Sequence, residues 1–329
     1  MKTQIKILGL AFVASILYVS CSTDDVVTDI PLTPPSAQEM KDLRAAALSK
    51  HSQVFTLSAL DSIKQFTSPK GVKFTIKRNN LRLNGNPVTG DVTIDYAEIF
   101  DGGSMLTTHK TTMGDLGGGV MGMIISGGEF FLNGKANGKQ LDLIAPVPFI
   151  IPANLTGQAD PAMQLWNGNI DNDGNIDWVR KDVANGAAGG VKVDGQGSNA
   201  NYFATFSQFG WTNVDKFYSD PRPKTTIQAT VPSGYTNSNC AIYLHYDGEP
   251  NGLALLDTYN SSTGIFSEHY GQIPIGLACH IIFATEENGQ WRYAIKAATI
   301  TANATYSFTL AETTVVSEAQ LVSAINALP

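Results

Sequence analysis

From residue 54 onward the chain alternates apolar and polar residues with a period of two, the pattern of strands buried on one face. Val72-Lys73-Phe74-Thr75-Ile76 is a clear short case, and Val92-Thr93-Ile94-Asp95-Tyr96-Ala97-Glu98-Ile99-Phe100 is the longest. Its β-branched and aromatic residues suit a pleated surface. Residues 54–57, 81–83, 120–125, 130–132 and 141–144 complete a first group. Asn84-Gly85-Asn86-Pro87, Asn133-Gly134 and Asn137-Gly138 punctuate it as turns. A second group runs through 226–231, 241–246, 253–256, 277–284, 291–295 and 306–310, with Asn288-Gly289 predicting a hairpin. Short strands at this spacing suggest an Ig-like sandwich.

Helical periodicity is confined to the two ends. Ser36 with Glu39 three residues later forms a capping-box pattern, and Met40, Leu43 and Ala47 share one face of the helix that follows. Ser317 and Gln320 repeat the signal before residues 321–328. Between the strand groups, residues 146–152 read as a Pro-rich link. Residues 163–166 and 176–179 flank Asn-Gly and Asp-Gly turns, and residues 182–201 are rich in Gly, Asn and Ala. The expected fold is therefore mainly β, with two β-sandwich domains and short terminal helices. The segments read as a leader (1–20), a tether and short helix (21–51), a first β-domain (52–152), a hairpin and linker (153–201), and a second β-domain with its C-terminal helix (202–329).

The first β-domain carries a family resemblance. Gly71-Val72-Lys73-Phe74-Thr75-Ile76 leads to Asn86-Pro87-Val88-Thr89-Gly90-Asp91-Val92-Thr93-Ile94 and then to Glu98-Ile99-Phe100-Asp101-Gly102-Gly103-Ser104-Met105-Leu106. Gly127-Gly128-Glu129-Phe130 and Gln140-Leu141-Asp142-Leu143 follow in the same order. This resembles the ZU5-type β-domain. The resemblance covers about a third of the chain and implies a β-sandwich used for protein contacts, without catalytic residues.

The N-terminus follows the three-part grammar of a secretory signal: Lys2 and Lys6, an apolar run over residues 7–19, and small Ser20 before Cys21. The apolar run is short for a membrane span, which needs about 20 residues. The residues alone also fit an ordinary signal peptide with an incidental Cys, or an uncleaved anchor. Small residue then Cys resembles the lipobox of bacterial lipoproteins. That resemblance implies acylation of Cys21, with palmitate among the expected chains, and membrane attachment through the lipid. Ser22-Thr23-Asp24-Asp25 is similar to the export signal of Bacteroidota-type surface lipoproteins, which implies the outer membrane with the protein facing outward.

Charge narrows the partners. The formal charge is −7, and the leader holds two lysines and no acids, so the mature chain is more acidic still. Without Lys/Arg clusters this argues against nucleic acid. Of the three cysteines, Cys240 and Cys279 remain once Cys21 is assigned to lipid. Outside the cytoplasm they could form a disulfide; two buried free thiols are the alternative.

Gly117-Gly118-Gly119-Val120-Met121-Gly122 satisfies G-x-G-x-x-G, but no helix fits after it, so a glycine-rich loop entering a strand is the reading. Residues 169–177 resemble the first nine positions of a calcium loop, with Asp171, Asp173, Asn175 and Asp177 as ligand candidates. Asn169 at position one and Arg180 at position twelve, where a bidentate carboxylate should close the shell, favour a plain hairpin and no cofactor. The five histidines lack zinc spacing, and no G-x-S-x-G elbow is present, so no enzyme is expected. Trp166, Trp178 and Trp211 are candidates for ligand binding by sugar stacking, and the aromatic run of residues 203–218 reads as core or as such a platform. The expected function is a lipid-anchored surface protein with a non-catalytic adhesion, assembly or ligand-display role; a glycan-binding module is the alternative, and a hydrolase is the third and least favoured reading.

Overall fold

Helix α1 (Ala37–His51) starts where the capping box places it: Ser36 Oγ accepts from the Glu39 N–H, and the Glu39 carboxylate accepts from the Ser36 N–H at 2.7 Å. Met40 and Ala47 are fully buried beneath it. The computed structural model describes residues 33–171, 174–181 and 190–329. The leader and Cys21 lie outside these.

The chain is mainly β, built from paired sheets with three short helices among the described residues. Strand Ser52–Leu57 follows α1 directly and forms the edge of a large sheet. The order continues through Val92–Ile99, Met121–Ala136, Gly210–Phe217, Gln164–Ile170, Ile176–Arg180 and Met113–Asp115. Met113–Asp115 pairs back onto Met121–Ala136, so five of these strands form a closed circuit of pairings. A five-stranded sheet faces the large one, in the order Val191–Asp194, Asn201–Phe206, Val147–Pro152, Lys73–Lys77, Ile63–Thr67. Side chains of both sheets meet in one core around Phe74, Tyr96, Phe130, Phe149 and Phe206. Phe149 and Phe206 stack at 3.9 Å between centroids. Burying each such ring contributes roughly 1.5–3 kcal/mol.

The second half pairs Thr258–Asn260, Ile265–Pro274, Lys224–Thr230 and Thr305–Ser307 in one sheet. Ala254–Leu255, Cys240–Tyr246, Ala278–Glu287, Gln290–Thr299 and Thr314–Val316 form the other. Ile227, Ile242, Leu244, Phe266, Ile281 and Phe283 are among the side chains of their shared core. A third cluster, with Trp166, Trp178, Tyr243, Ile282 and Trp291, lies between the two sandwiches and includes side chains of all three helices. Residues 34–329 accordingly form one compact unit.

Several expectations change. Residues 120–125 and 130–132 belong to a single strand, Met121–Ala136, and Asn133-Gly134 lies inside it; Asn137-Gly138 makes the turn, with both residues at positive φ. The strand serves two cores, with Met121, Met123 and Ile125 in the second and Phe130 and Leu132 in the first. The change of sandwich falls between Phe217 and Lys224, not at residue 202, because Asn201–Phe206 and Gly210–Phe217 complete the first pair of sheets. The expected linker likewise supplies Gln164–Ile170, Ile176–Arg180 and Val191–Asp194 as paired strands. Its glycines and asparagines mark turns between strands; residues 182–189 lie outside the described set.

Helix α2 (Gly102–Thr108) was not expected from a Gly-Gly start. Asp101 caps it by accepting from the Ser104 N–H. Gly103 lets it touch helix α3 (Glu318–Asn326), since a Cβ there would stand 2.6 Å from the Val322 carbonyl oxygen. The Gly117–Gly119 run is the loop of the Met113–Asp115 to Met121–Ala136 hairpin, with all three residues at positive φ. Among the described residues no helix is long and apolar enough to cross a membrane.

Candidate ligand-binding face

The outer face of the five-stranded sheet carries a groove of about 640 Å³. Period-two alternation builds it. Phe74 and Ile76, Val147, Phe149 and Ile151, and Tyr202, Ala204 and Phe206 point into the core. Their neighbours Lys73, Thr75, Pro148, Ile150, Phe203 and Thr205 therefore face outward and line the groove. Register sets the order: Lys192 pairs with Phe203, Phe203 with Ile150, and Ile150 with Lys73. One row across four strands thus reads Lys, Phe, Ile, Lys, and spans about 14 Å at ~4.8 Å per strand. Phe203 is 38 % exposed, a large fraction for a phenyl ring on a strand flanked on both sides.

Pro148 explains where the groove opens. Pairing between Val147–Pro152 and Lys73–Lys77 covers Phe149↔Phe74 and Ile150↔Lys73 only. Pro148 has no N–H with which to extend the ladder toward Thr75. The floor is firm: Phe74, Phe149 and Phe206 stack beneath it at 5.1 and 3.9 Å.

The ligand-binding candidates read from the sequence lie elsewhere. Trp166 and Trp178 are fully buried, and Trp211 is 6 % exposed. The Trp166 indole N–H donates to the Asp215 carbonyl at 3.0 Å and that of Trp178 to the Thr111 carbonyl at 2.8 Å. Trp211 packs on Phe131. None offers a ring face to a sugar. They anchor the layer between the sandwiches, where large rings are worth most in buried area. Within the 203–218 run Phe206 and Trp211 are core, while Phe203 alone is prominently exposed.

Cys240 and Cys279 are free and buried, so the disulfide alternative fails. Cys240 pairs with Thr285 and Cys279 with Tyr246, six positions along one ladder. That is about 20 Å, far beyond the ~7 Å limit for Cα atoms of a disulfide. Burial pushes the Cys279 thiol up to about 12.

The calcium-like hairpin is a turn. Asp171 accepts from both the backbone N–H and the side-chain amide of Asn175 at 2.9 Å. Asn175 Oδ1 in turn lies 3.0 Å from His109 Nε2. Asp173 lies outside the described residues. Asp171, Asn175 and Asp177 do line one polar cavity of about 160 Å³, with Asp257 and Tyr270 from the second sandwich. Burial, then Asp171, Asp257 and Asp115, raises the Asp177 carboxyl above its ordinary range. Among the described residues no group of three or more His, Cys, Asp or Glu is placed to hold a metal.

Strand alternation could not reveal a buried polar layer on the paired strands Met121–Ala136 and Gly210–Phe217. Glu129 and Asp215 are fully buried, and neither Glu129 oxygen has a hydrogen-bond partner. Burial, followed by Asp215, raises the Glu129 carboxyl well above the carboxylate range. Asn213 donates to Asp215 at 2.6 Å and accepts from Ser126 at 2.9 Å. Lys110 lies 5.5 Å over the Trp211 ring, and burial pulls its ammonium down to about 8. Comparison with protein-family models, with curated proteins and with solved structures gives no match for this chain.

Proposed function

We propose that the protein is a lipid-anchored, outward-facing outer-membrane protein that holds a ligand, without chemical change, across the outer face of its five-stranded sheet. The observation that carries this reading is the Lys192–Phe203–Ile150–Lys73 row and the groove over it. A phenyl ring left open above a rigid aromatic floor is the kind of anchor that concentrates binding energy. Attachment through Cys21 rests on the lipobox resemblance, and the protein-contact role is the one the ZU5 resemblance implies.

Two experiments test it. Metabolic labelling with an alkyne fatty acid should tag the wild type and not C21A; equal labelling removes the anchor. An array of glycans and matrix proteins probed with the wild type and F203A should lose its signals in the variant. Signals unaffected by F203A remove the sheet face as the site.

A further inference from the structure

We infer that the ligand of this face is an acidic polysaccharide, one whose sugar rings pack on Phe203 and Ile150 while their carboxylates meet Lys192 and Lys73. The inference rests on the reading just given and adds the ligand class.

Charge supplies the first argument. The outward positions of the five strands include Lys73, Lys77 and Lys192 against a single acid, Asp194. This is a local positive excess in a chain of formal charge −7. Among the described residues none of the three lysines has a carboxylate partner, whereas Lys50, Lys64, Lys135, Lys216, Lys224 and Lys296 all do. Three unpaired ammonium groups, those of Lys73, Lys77 and Lys192, therefore stand on the face that holds the groove. Uncommitted cations on a surface with few acids attract anionic ligands over about a Debye length, ~8–10 Å in physiological salt.

Shape supplies the second. The two lysines of the row stand about 14 Å apart with two apolar side chains between them. An extended polymer that repeats an apolar ring face and an acidic group matches that alternation. A uronic-acid chain has both, with the C–H face of a pyranose on the phenyl ring and a carboxylate at intervals. An acidic peptide fits less well. Val147–Pro152 and Asn201–Phe206, which carry Ile150 and Phe203, are flanked by partners on both sides, so the apolar middle of the row offers side chains and no strand edge to satisfy a peptide backbone. Nucleic acid would need many more phosphate contacts than three lysines provide.

Biolayer interferometry on the full chain in detergent tests this. The probes are polygalacturonate and the same polymer fully methyl-esterified, which keeps the rings and removes the charge. De-esterified polymer should bind at least about tenfold more tightly than the ester, and the K73Q/K192Q double variant should lose about tenfold for the acidic form alone. Raising salt from about 0.1 M to about 1 M, which shortens the Debye length from ~10 to ~3 Å, should weaken it similarly. F203A should weaken both polymers, with thermal melting confirming that every variant is folded. Equal binding of the two polymers, or no effect of K73Q/K192Q, overturns the acidic-ligand inference while a loss in F203A still upholds the face. Failure to bind polygalacturonate at all also overturns the inference. Polymer binding that F203A leaves untouched removes the face itself.

Discussion

His109 and Tyr243 join the two sandwiches through a buried hydrogen bond, with Nδ1 of the imidazole 2.8 Å from the phenolic oxygen. His109 ends α2 in the left-handed conformation, φ 55°, and Tyr243 sits mid-strand in Cys240–Tyr246. Since Asn175 Oδ1 can only accept, Nε2 carries the proton, and Nδ1 accepts from the Tyr243 hydroxyl. The ring is neutral: burial, then Arg44 and Lys110, holds its pKa well below the ordinary histidine value.

This arrangement makes stability depend on His109 in acid. A histidine with a depressed folded pKa costs nothing above the unfolded value near 6.5 and destabilises as pH falls below it, by up to about 1.4 kcal/mol per unit. H109A should lower the melting temperature at pH 7.5, in line with the roughly 1–3 kcal/mol cost of leaving buried partners unsatisfied. The gap to wild type should narrow between about pH 6.5 and 5. A constant gap across that range in thermal melts would contradict a neutral buried imidazole.

Glu129 predicts the opposite slope. Its raised folded pKa gives a term that is fully favourable below the unfolded value near 4.3 and is lost as pH rises toward the folded pKa. E129Q keeps the shape and removes the ionisable group. It should stabilise the protein at pH 7.5 by about 1–3 kcal/mol and be near neutral at pH 4. Urea midpoints at the two pH values check this; a destabilised E129Q at pH 7.5 would show that the carboxylate has a buried cationic partner.

Gly103 should tolerate no side chain. A Cβ would lie 2.6 Å from Val322 O and 2.8 Å from Val322 Cα, both backbone atoms that cannot swing away. G103A should cost about 1–3 kcal/mol by pushing α3 off α2. Gly85, around whose Cβ position there is open space, serves as the comparison, although its φ of 80° still penalises a side chain. A G103A melt equal to wild type would mean the helices can separate freely.

Cys240 and Cys279 should both alkylate in denaturant without any reductant, and only slowly in the native state, since both are buried. Adding reductant should leave the melting temperature unchanged. A reductant-sensitive melt would require the two strands to slip out of their register.

Much of the fold was legible wherever burial falls on one side of a strand. The 72–76, 92–100 and 291–295 patterns, both capping boxes and the Asn288-Gly289 hairpin are all local statements. What was not legible depends on partners distant in sequence. Gly102-Gly103 gives no local sign of a helix; the need for glycine at 103 comes from α3, whose Val322 backbone fills the space a side chain would occupy. Gly127-Gly128 likewise owes its glycines to Val214 and Phe100, which crowd it. The tryptophans read as ligand groups because exposed aromatic rings can stack on sugars, yet the Trp166 and Trp178 indole N–H groups have backbone partners inside the protein and Trp211 packs on Phe131. Phe203 was named only as part of an aromatic run; its alternation with Tyr202 and Phe206 carried the signal that it points outward.

The closed circuit of strands has a consequence for how the chain is made. Gly210–Phe217 wedges between Met121–Ala136 and Gln164–Ile170, so two earlier strands wait for a later one. Until residue 217 has emerged from the ribosome, the ring lacks its middle stave. A nascent chain therefore cannot close this circuit until about two-thirds of it has been made, and the long-range pairings of the ring form late.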